Sequence, residues 1–330
     1  MSEKTLIEKM KVLLEKRGKN ACKLAEKEIL SEKLEYKPLR EALQYFMQET
    51  WHNFQHPALL SLACESVGGK PEKTTSIGAA LVLLTGGADI HDDIIDQSKT
   101  KGSKPTVFGK FGRDISLLVG DALLLKGATL LYNACENLPK KQRTEIIKLV
   151  KDAFFEIGMA EAKETSLKGN WDLTPKEYLD VIIMKAAIAE ATARIGAILG
   201  EGSFNEIEAL SKYGRIWGIL ATIRDDYIDT FEPDELKNRV ENECLPLPIL
   251  YAFCDQKAKK KIINILRKRR IQEKDAFKIV KIITDTKGMQ ALRQEVQALL
   301  RDGVQSLKIV KRRILTTQLK NILHATVESL

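Results

Sequence analysis

The sequence has few of the residues that interrupt helices. Only 9 prolines and 20 glycines occur in 330 residues, and aromatic residues make up 6% of the chain. Leucine, alanine, isoleucine, lysine and glutamate are common instead, a balance that favours helices, and strand-like alternation is nearly absent. With 44% hydrophobic residues, the composition also excludes a disordered chain.

Cysteine pairs and long apolar runs are missing as well. The longest apolar run, 77–84, is too short to span a bilayer, which takes about 20 residues. The N-terminal residues MSEKTLIEKM resemble the start of an amphipathic helix rather than a signal peptide. We therefore predict a soluble, cytoplasmic protein with no integral membrane segment. The five cysteines are scattered, and no two of them have CxxC spacing, so the sequence predicts neither a disulfide framework nor a zinc site. They are Cys22, Cys64, Cys135, Cys244 and Cys254.

The net charge of +8 is unevenly distributed. Lysines alternate with glutamates over most of the chain, but basic runs occur at 257–261 and 267–270. A solvated helix face explains such runs, and an anionic partner is the alternative. No aromatic residues are interleaved with these runs to stack bases, so we predict no nucleic-acid partner.

Helical periodicity recurs along the whole chain, and no linker or short repeat divides it. We predict one all-α domain over 1–330. The predicted helices cover about 3–17, 21–34, 38–51, 55–67, 73–98, 111–136, 140–168, 175–200, 204–231, 246–255, 258–270, 274–286, 288–304 and 308–327. Breaks are predicted at turn residues such as those at 102–105 and 232–234. Helices that are apolar around most of their circumference, as at 76–90, are typical of the middle of a bundle.

Two segments repeat one acidic pattern, DDxxD. They are DDIID at 92–96 and DDYID at 225–229, each at the C-terminal end of an apolar predicted helix. One such motif would occur by chance in a chain of this length with odds of about 7%, and two with odds of a few in a thousand. The pair is therefore a strong signal.

These six carboxylates require positive partners. Aspartates four residues apart share a helix face and repel each other, and negative charge near a helix C-terminus opposes the helix dipole. Hard divalent cations with oxygen ligands suit such clusters, and Mg²⁺ prefers few carboxylates plus water and phosphate oxygens. That preference leaves room for a diphosphate. The alternative is a pair of salt-bridged helix ends.

Lys185 lies within a largely apolar stretch, 181–188. A lysine in such a position can lay its stem along the edge of the core. It can also direct a point charge at phosphate oxygens. Both interpretations remain open from the residues alone.

With these motifs the sequence resembles the trans-prenyl diphosphate synthases of the polyprenyl synthetase family. DDIID is followed by KPTVFGKFG and GDALL in the family's order, Tyr178 precedes Lys185 by seven residues, and IRDDYID precedes Leu247-Pro248. The likeness runs from about Gly68 to Leu250. It implies an antiparallel helical bundle around a deep central cavity, usually in a homodimer.

The resemblance also implies a set of ligands and roles. Asp92 and Asp96 would hold two Mg²⁺ ions and Asp225 a third, while Lys185 would neutralise an allylic diphosphate. The metals would help that diphosphate leave, and the double bond of isopentenyl diphosphate would attack the resulting allylic cation. The other aspartates of the two motifs would orient metal-bound waters or ligands, and these are Asp93, Asp226 and Asp229.

Several positions depart from the family pattern where it binds isopentenyl diphosphate. Lys70 matches a family lysine, but Lys73 replaces an arginine and loses its bidentate geometry. A family histidine falls on Thr85, and an Arg-Arg pair becomes Lys101-Gly102. Lys101, Lys70 and Lys73 remain as candidate diphosphate ligands beside Lys185, and the acceptor half is depleted of cations.

Product length in the family is set four and five residues before the first motif, where this chain has Gly87 and Ala88. Their small side chains would leave the cavity floor open for products of about C20 or longer, by analogy. Close helix packing is the alternative role for them. Asp89 stands on an apolar face with no partner apparent from the sequence.

The leading hypothesis is an Mg²⁺-dependent prenyltransferase that joins isopentenyl diphosphate to an allylic primer. A class I terpene synthase would use the same ionisation without isopentenyl diphosphate, ending in cyclisation or capture of water. A third possibility is a subunit of a heteromeric prenyl synthase. The depleted acceptor half motivates both alternatives.

Overall fold

A computed structural model describes residues 5–328, and nearly all of this range is helical, so the predicted all-α class is confirmed. A two-stranded antiparallel hairpin pairs β1 with β2. The elements in chain order are α1 Leu6–Leu30, α2 Lys37–Tyr45, a π-helical turn Phe46–Thr50, α3 Gln55–Ser66, a 3₁₀ turn Pro71–Thr74, α4 Thr75–Ile95, β1 Thr100–Lys101, β2 Lys104–Pro105, α5 Val107–Phe111, α6 Arg113–Cys135, α7 Lys140–Leu167, α8 Pro175–Lys185, α9 Ala187–Leu199, α10 Phe204–Phe231, α11 Pro233–Asn242, α12 Leu247–Ala252, α13 Gln256–Leu266, α14 Glu273–Thr284, α15 Lys287–Ser306, a 3₁₀ turn Leu307–Ile309, and α16 Arg313–Val327.

The contacts of the chain group into two compact units. The first contains 5–152, Ala191–Ser211 and Ile309–Leu319. The second contains Ala153–Glu190, Lys212–Lys308 and 320–328. The prediction of a single domain stays a prediction.

In the first unit, α4 is the central helix. It packs along α6 and against α1 and α3, and its side chains from Ile77 to Leu84 are almost all buried. Leu83 and Ile90 of α4 and Val119 and Leu123 of α6 are inaccessible to solvent. A helix that buries most of its circumference needs neighbours on several sides. The buried position of α4 fixes where the acidic motif at its end can lie.

In the second unit, the short helix α12 lies at the centre. It contacts α8, α14 and α15, and Leu247, Ile249 and Leu250 are fully buried. Pro246 and Pro248 fix the start of α12, because proline is tolerated in the first turn, where its missing N–H would have no helical partner. This anchoring places the N–H of Leu247 beside the second acidic motif.

Three predicted boundaries were wrong. The predicted break between 17 and 21 does not occur, because Gly18 lies inside α1, where an added Cβ would come 2.8 Å from the carbonyl oxygen of Phe54. The glycine permits a close approach rather than a turn. The predicted helix 175–200 is two helices, α8 and α9, separated at Ala186. Residues 233–242, which begin at a predicted break and were assigned no helix, form α11 with Pro233 in its first turn.

One helix in the described part of the chain, α6, is long and apolar enough to cross a membrane by length and composition. A third of its most apolar window is buried within the protein. A single helix of this kind is weak evidence for a membrane span, because core helices of soluble proteins meet the same criterion.

Candidate active site

The first acidic motif occupies the last turn of α4. Asp92 and Asp93 belong to the helix, and Asp96 caps it, with its N–H donating to the carbonyl of Asp92 at 2.8 Å. Asp92 and Asp96 offer carboxylate oxygens within 4.8 Å of each other. Their spacing of four residues places both on one helix face. This pair can share one divalent cation.

Asp89 and Asp93 form a second pair with the same spacing, and this pair has a protein cation. The hairpin turns at Gly102, whose φ of +58° lies in the left-handed region, and returns Lys101 onto α4. Lys101 Nζ lies 2.7 Å from Asp89 Oδ1 and 3.0 Å from Asp93 Oδ1. The ammonium therefore bridges the two carboxylates, and Asp89, unexplained from the sequence, is its closer partner.

Burial shapes the protonation of this cluster. Only 5% of the Asp93 side chain is exposed, and burial raises its pKa to about 7 although Lys101 opposes the shift. Burial also raises the pKa of Asp89 against the same ammonium. For Lys101, burial works toward a lower pKa, but Asp89 and Asp93 raise it above its ordinary value. Lys101 stays charged, and the ionisation of Asp93 depends on it.

A cavity of about 90 Å³ adjoins this cluster within the first unit. Asp89, Asp93 and Lys101 line one part of it, and the rings of Phe46 and Trp51 line another. The two rings stack with their centroids 5.2 Å apart. The bridged lysine is thus bordered by aromatic side chains on its cavity side.

The residues predicted for the acceptor diphosphate lie on the first unit. Lys70 is exposed, and Lys73 is exposed and pairs with Glu201 at 3.1 Å. The hydroxyl of Thr85 donates to the carbonyl of Leu81 in its own helix at 2.7 Å. Only Lys70 is therefore a cation without a salt bridge in this set, as far as residues 5–328 are concerned.

Gly87, predicted to set product length, lies against α6. A Cβ added there would come 2.8 Å from the carbonyl oxygen of Gly120 and 2.8 Å from Cγ of Leu124. Such contacts are closer than packed side chains tolerate. Close packing of α4 on α6 therefore accounts for Gly87, while Ala88 is half-buried beside it.

The second acidic motif lies near the end of α10, in the second unit. Asp226 is almost fully buried and accepts hydrogen bonds from the Leu247 N–H at 2.9 Å and the Tyr178 hydroxyl at 3.4 Å. Asp225, by contrast, has 63% of its side chain exposed and lies 3.2 Å from Arg224. Adjacent carboxylates thus face different environments, as expected for neighbours on a helix.

Arg239 on α11 holds together the buried side of this motif. Its guanidinium pairs with Asp226, lies 3.3 Å from Asp229 through Nε, and lies 2.8 Å from Glu243. Only 8% of the Arg239 side chain is exposed. A guanidinium offers five N–H donors in a fixed plane, so one side chain can serve several carboxylates at once.

These partners determine which carboxylates hold their charge. Burial raises the pKa of Asp226, with Arg239 acting against it, and raises the pKa of Asp229 to about 6. Burial would also raise the pKa of Glu164, but Lys185 and Arg239 bring it below its ordinary value.

Lys185 ends α8 and pairs with two glutamates of α7, Glu161 at 2.9 Å and Glu164. The Tyr178 hydroxyl donates to Glu164 at 3.3 Å and thereby connects this group to Asp226. Lys185 lies at the edge of the core with 23% of its side chain exposed, as the first interpretation requires, and its role toward a diphosphate stays a prediction. Its charge is already balanced by carboxylates of the second unit.

The six motif aspartates therefore divide into two groups. Asp93, Asp226 and Asp229 pair with protein cations, as the salt-bridge interpretation requires. Asp92, Asp96 and Asp225 are the three that were predicted to hold Mg²⁺. Carboxylate oxygens at the Asp92–Asp96 spacing fit a hard divalent cation. The Asp92–Asp96 pair therefore fits magnesium at the first motif, whereas at the second motif Asp225 is exposed beside Arg224.

Sequence analysis missed several residues of these networks. Glu161 and Glu164 are three residues apart on α7, a spacing that could have indicated a shared acidic face. Arg239 lies in a segment that was not predicted to be helical, and no local pattern connects it to Asp226. Its role depends on the fold.

The comparisons with known proteins decide the family. The family model described as polyprenyl synthetase matches residues 37–283. The chain belongs to the polyprenyl synthetase family. A short chain isoprenyl diphosphate synthase of Methanothermobacter thermautotrophicus is 31% identical over 229 residues, covering 69% of this chain and 66% of that protein. A geranylgeranyl diphosphate synthase of Sulfolobus acidocaldarius is 29% identical over 226 residues, covering 68% and 65%.

The matched part of the chain thus covers 66% and 65% of the full lengths of these two relatives. The structural similarity covers more of the chain than the sequence similarity does. Geranylgeranyl pyrophosphate synthetase from Pyrococcus horikoshii superposes with a TM-score of 0.85 at 23% identity, over 98% of this chain and all of that one. This likeness shows that the isoprenoid synthase fold predicted from the motifs is correct.

Proposed function

We propose that the protein is an Mg²⁺-dependent trans-prenyltransferase that condenses an allylic prenyl diphosphate with isopentenyl diphosphate. Two acidic motifs carry the proposal, because the first places two carboxylates at a spacing that suits a hard divalent cation and the second exposes the carboxylate of Asp225. Asp93 and Asp226 are buried and paired. Asp92 and Asp96 offer nearby oxygens to a cation. If the motifs served only to form salt bridges, the carboxylate oxygens of Asp92 and Asp96 would not need to lie so close together.

The chain's own residues would bind and orient the substrate. Asp92 and Asp96 would hold Mg²⁺ on the first motif, and Asp225 would hold it on the second, with three ions expected by analogy. When bound, Mg²⁺ would neutralise the diphosphate and make it a better leaving group. Lys101 and Lys185 would contribute fixed positive charge toward diphosphate oxygens. Arg239 would keep Asp226 and Asp229 in place.

No side-chain base is needed for the last proton. The released diphosphate can accept the proton lost when the new double bond forms, which suits a chain with four histidines. Apolar helices around the reacting carbons would exclude water from the cation. The same exclusion would favour attack by a double bond over hydrolysis.

A direct assay tests this activity. The purified protein is incubated with Mg²⁺, labelled isopentenyl diphosphate and allylic primers from C5 to C20, and the products are separated by chromatography. We expect label in longer prenyl diphosphates, with Asp92→Asn and Asp225→Asn reducing turnover by a factor of about 100 or more, as when electrostatic stabilisation is lost. Absence of labelled products with every primer would refute the proposal.

The expected product is about C20 or longer. The small residues before the first motif support this length by analogy, although Gly87 is needed for packing on α6. Some relatives and structural neighbours are named geranylgeranyl diphosphate synthases, and others are named decaprenyl or heptaprenyl diphosphate synthases. Product length is therefore proposed to depend on Ala88 more than on Gly87.

A class I terpene synthase is the second candidate. The acceptor half favours it, because Lys73 is engaged by Glu201 and the Thr85 hydroxyl is engaged by its own helix. Incubation of allylic diphosphates without isopentenyl diphosphate distinguishes the two functions. Hydrocarbon or alcohol products would support a terpene synthase, whereas unchanged substrate would exclude it.

We further propose a homodimer located in the cytoplasm. The outer face of α6 exposes four large apolar side chains, three of them spaced by seven residues, with exposed fractions between 46% and 72%. A stripe of this kind fits a second copy of the same helix. A heteromeric synthase would use the same face for a different subunit, and turnover by the purified single chain would exclude that role. The four residues are Leu117, Leu118, Leu125 and Tyr132.

A further inference from the structure

The positive charge of the protein is concentrated in one short segment of the second unit. Residues 255–285 carry eleven lysines and arginines and four acidic residues, a net charge of +7, whereas all 330 residues carry +8. The rest of the chain is therefore almost neutral. The segment contains α13, α14 and the turn between them, and we refer to it as the basic hairpin.

The two helices of the basic hairpin pack on each other, and most of their basic side chains are exposed; Lys259, which is 18% exposed and pairs with Asp172 at 2.7 Å, is an exception. Ala258, Ile262 and Leu266 form the buried stripe of α13. Ala276, Ile279 and Ile283 form that of α14. The opposite face of α14 carries Lys274, Lys278 and Lys281, all exposed and, within residues 5–328, without salt bridges.

The turn between the helices adds to this surface. Its four residues, at 267–270, are all basic and exposed. Among these four, and within the described residues 5–328, Lys268 alone forms a salt bridge, with Asp275 at 2.6 Å. Arg267, Arg269 and Arg270 extend the positive surface beyond the end of α13.

Acidic residues of the basic hairpin do little to neutralise this face. Asp275 is almost fully buried, pairs with Lys268 and accepts from the Gln272 N–H at 3.3 Å. Asp255 caps α13 and accepts from the N–H groups of Lys257 and Ala258. These two carboxylates have structural roles, and the other two, Glu273 and Asp285, are exposed but outnumbered, so the hairpin surface retains a net positive charge.

An aromatic side chain lies among the lysines. Phe277 is 60% exposed, and helical spacing places it between Lys274 and Lys281, three residues before and four after it. An exposed phenylalanine gains no packing energy in water. A surface that joins a large apolar side chain to basic groups is typical of proteins that lie on lipid headgroups.

We propose that the basic hairpin docks on an anionic lipid surface. Its lysines and arginines would contact acidic headgroups, and Phe277 would enter the boundary between headgroups and acyl chains. Charge complementarity selects this partner, since juxtamembrane lysines gain about 1 kcal/mol each, or a factor of about five in affinity, near such a surface. A single exposed aromatic residue offers no series of stacking sites for bases, which disfavours nucleic acid. The inference does not depend on the proposed catalytic function.

Vesicle flotation with the full chain tests this docking. The vesicles contain phosphatidylcholine alone or phosphatidylcholine mixed with phosphatidylglycerol, at low and at physiological ionic strength. We expect binding only to the anionic vesicles and weaker binding as salt screens the charges. The triple variant Lys274→Gln/Lys278→Gln/Lys281→Gln should bind about 100-fold more weakly. Phe277→Ser should weaken binding while preserving its salt dependence.

A matched control removes the same charge elsewhere. Lys19, Lys23 and Lys27 form an exposed stripe on α1, so their triple replacement by Gln lowers the net charge equally and should leave vesicle binding unchanged. Circular dichroism verifies that both variants fold. Equal loss in the two variants, or no binding by the unaltered protein, would overturn the proposal. Tighter binding of a labelled single-stranded RNA than of anionic vesicles would also overturn it.

Discussion

Lys101 has two carboxylate partners, and the closer one is outside the acidic motif. Asp89 lies 2.7 Å from the ammonium and Asp93 lies 3.0 Å from it. If Lys101 binds the substrate diphosphate, it must exchange these partners for phosphate oxygens. Asp89 would then be a positioning residue that weakens substrate binding while it fixes the lysine.

Replacing Asp89 should change the affinity for the allylic substrate. Asp89→Asn removes one charge that competes for Lys101, so we expect the KM for the allylic diphosphate to fall by a factor of about five, as for a partly exposed ion pair. Asp89→Glu should restore the original KM, and Lys101→Met should raise the KM above that of the unaltered protein. Steady-state kinetics with fixed isopentenyl diphosphate measure these values. An unchanged KM in Asp89→Asn would show that Lys101 does not reach the substrate.

The raised pKa of Asp93 should affect stability in the absence of metal. A carboxyl whose pKa rises from about 3.9 in the unfolded chain to about 7 in the fold binds more protons when folded. Protonated Asp93 therefore contributes fully to the free energy of unfolding below about pH 4, and this contribution is lost as the pH rises from about 4 to 7. Asp93→Asn should show a smaller decrease in melting temperature between pH 5 and 8 in EDTA.

His56 makes stability change with pH in the opposite direction and must be considered in that experiment. Burial lowers its pKa to about 4, so its contribution to stability is lost as pH falls from about 6.5 to 4. Both proteins contain His56, so the difference between them isolates Asp93. Parallel curves for the two proteins would mean that Asp93 is not perturbed.

Arg239 is the residue whose loss should be most damaging in the second unit. Arg239→Met leaves Asp226, Asp229 and Glu243 without their shared cation, and removal of one partner from a buried pair costs about 3–5 kcal/mol. Urea unfolding measures the loss. Lys237→Met on the same helix is the control, because its partner Glu241 is 54% exposed and a pair near the surface is worth about 0–1 kcal/mol. Similar losses in both variants would contradict a central role for Arg239.

Among the helices, those with a persistent apolar stripe could be predicted, whereas the short helices α5 and α11 could not. α4 and α10 were predicted within a few residues, because apolar periodicity persists over several turns. α11 and the strand hairpin are rich in polar residues, and ion pairs of Arg239 and Lys101 with aspartates of other elements help to fix their positions. Lys101 and Arg239 belong to these elements. The aspartates of the two motifs were thus accessible from sequence patterns, whereas the cations that pair with Asp93 and Asp226 were not.

The close packing of α4 on α6 separates two roles for the small residues before the first motif. Gly87→Ala would bring a Cβ to 2.8 Å from a backbone oxygen, so we expect a destabilisation of about 1–3 kcal/mol. Ala88→Phe should instead shorten the prenyl product, with a smaller effect on stability. Thermal unfolding and product chromatography of both variants distinguish the roles. A stable Gly87→Ala variant with a shortened product would reverse this assignment.

Assembly belongs to the scale of the whole molecule. If the exposed face of α6 joins two copies, Leu118→Glu/Leu125→Glu should convert the protein to a monomer, because it places charge in a buried apolar contact. Light scattering coupled to size exclusion measures the mass. Ile314→Glu is the control, since Ile314 is an equally large side chain with 78% exposure on α16. A monomeric unaltered protein, or dimers that survive the double substitution, would refute this interface.

Lys101 and Arg239 also weaken the negative electrostatic potential that an arriving Mg²⁺ ion meets at the acidic motifs. Each already balances part of the negative charge of its own acidic motif. A lone Mg²⁺ would therefore meet a weaker attraction than six unpaired carboxylates would exert. A diphosphate that brings its own negative charge would restore that attraction, so metal and substrate should enter as a complex. Such mutual dependence would leave the resting enzyme almost metal-free at low substrate concentration.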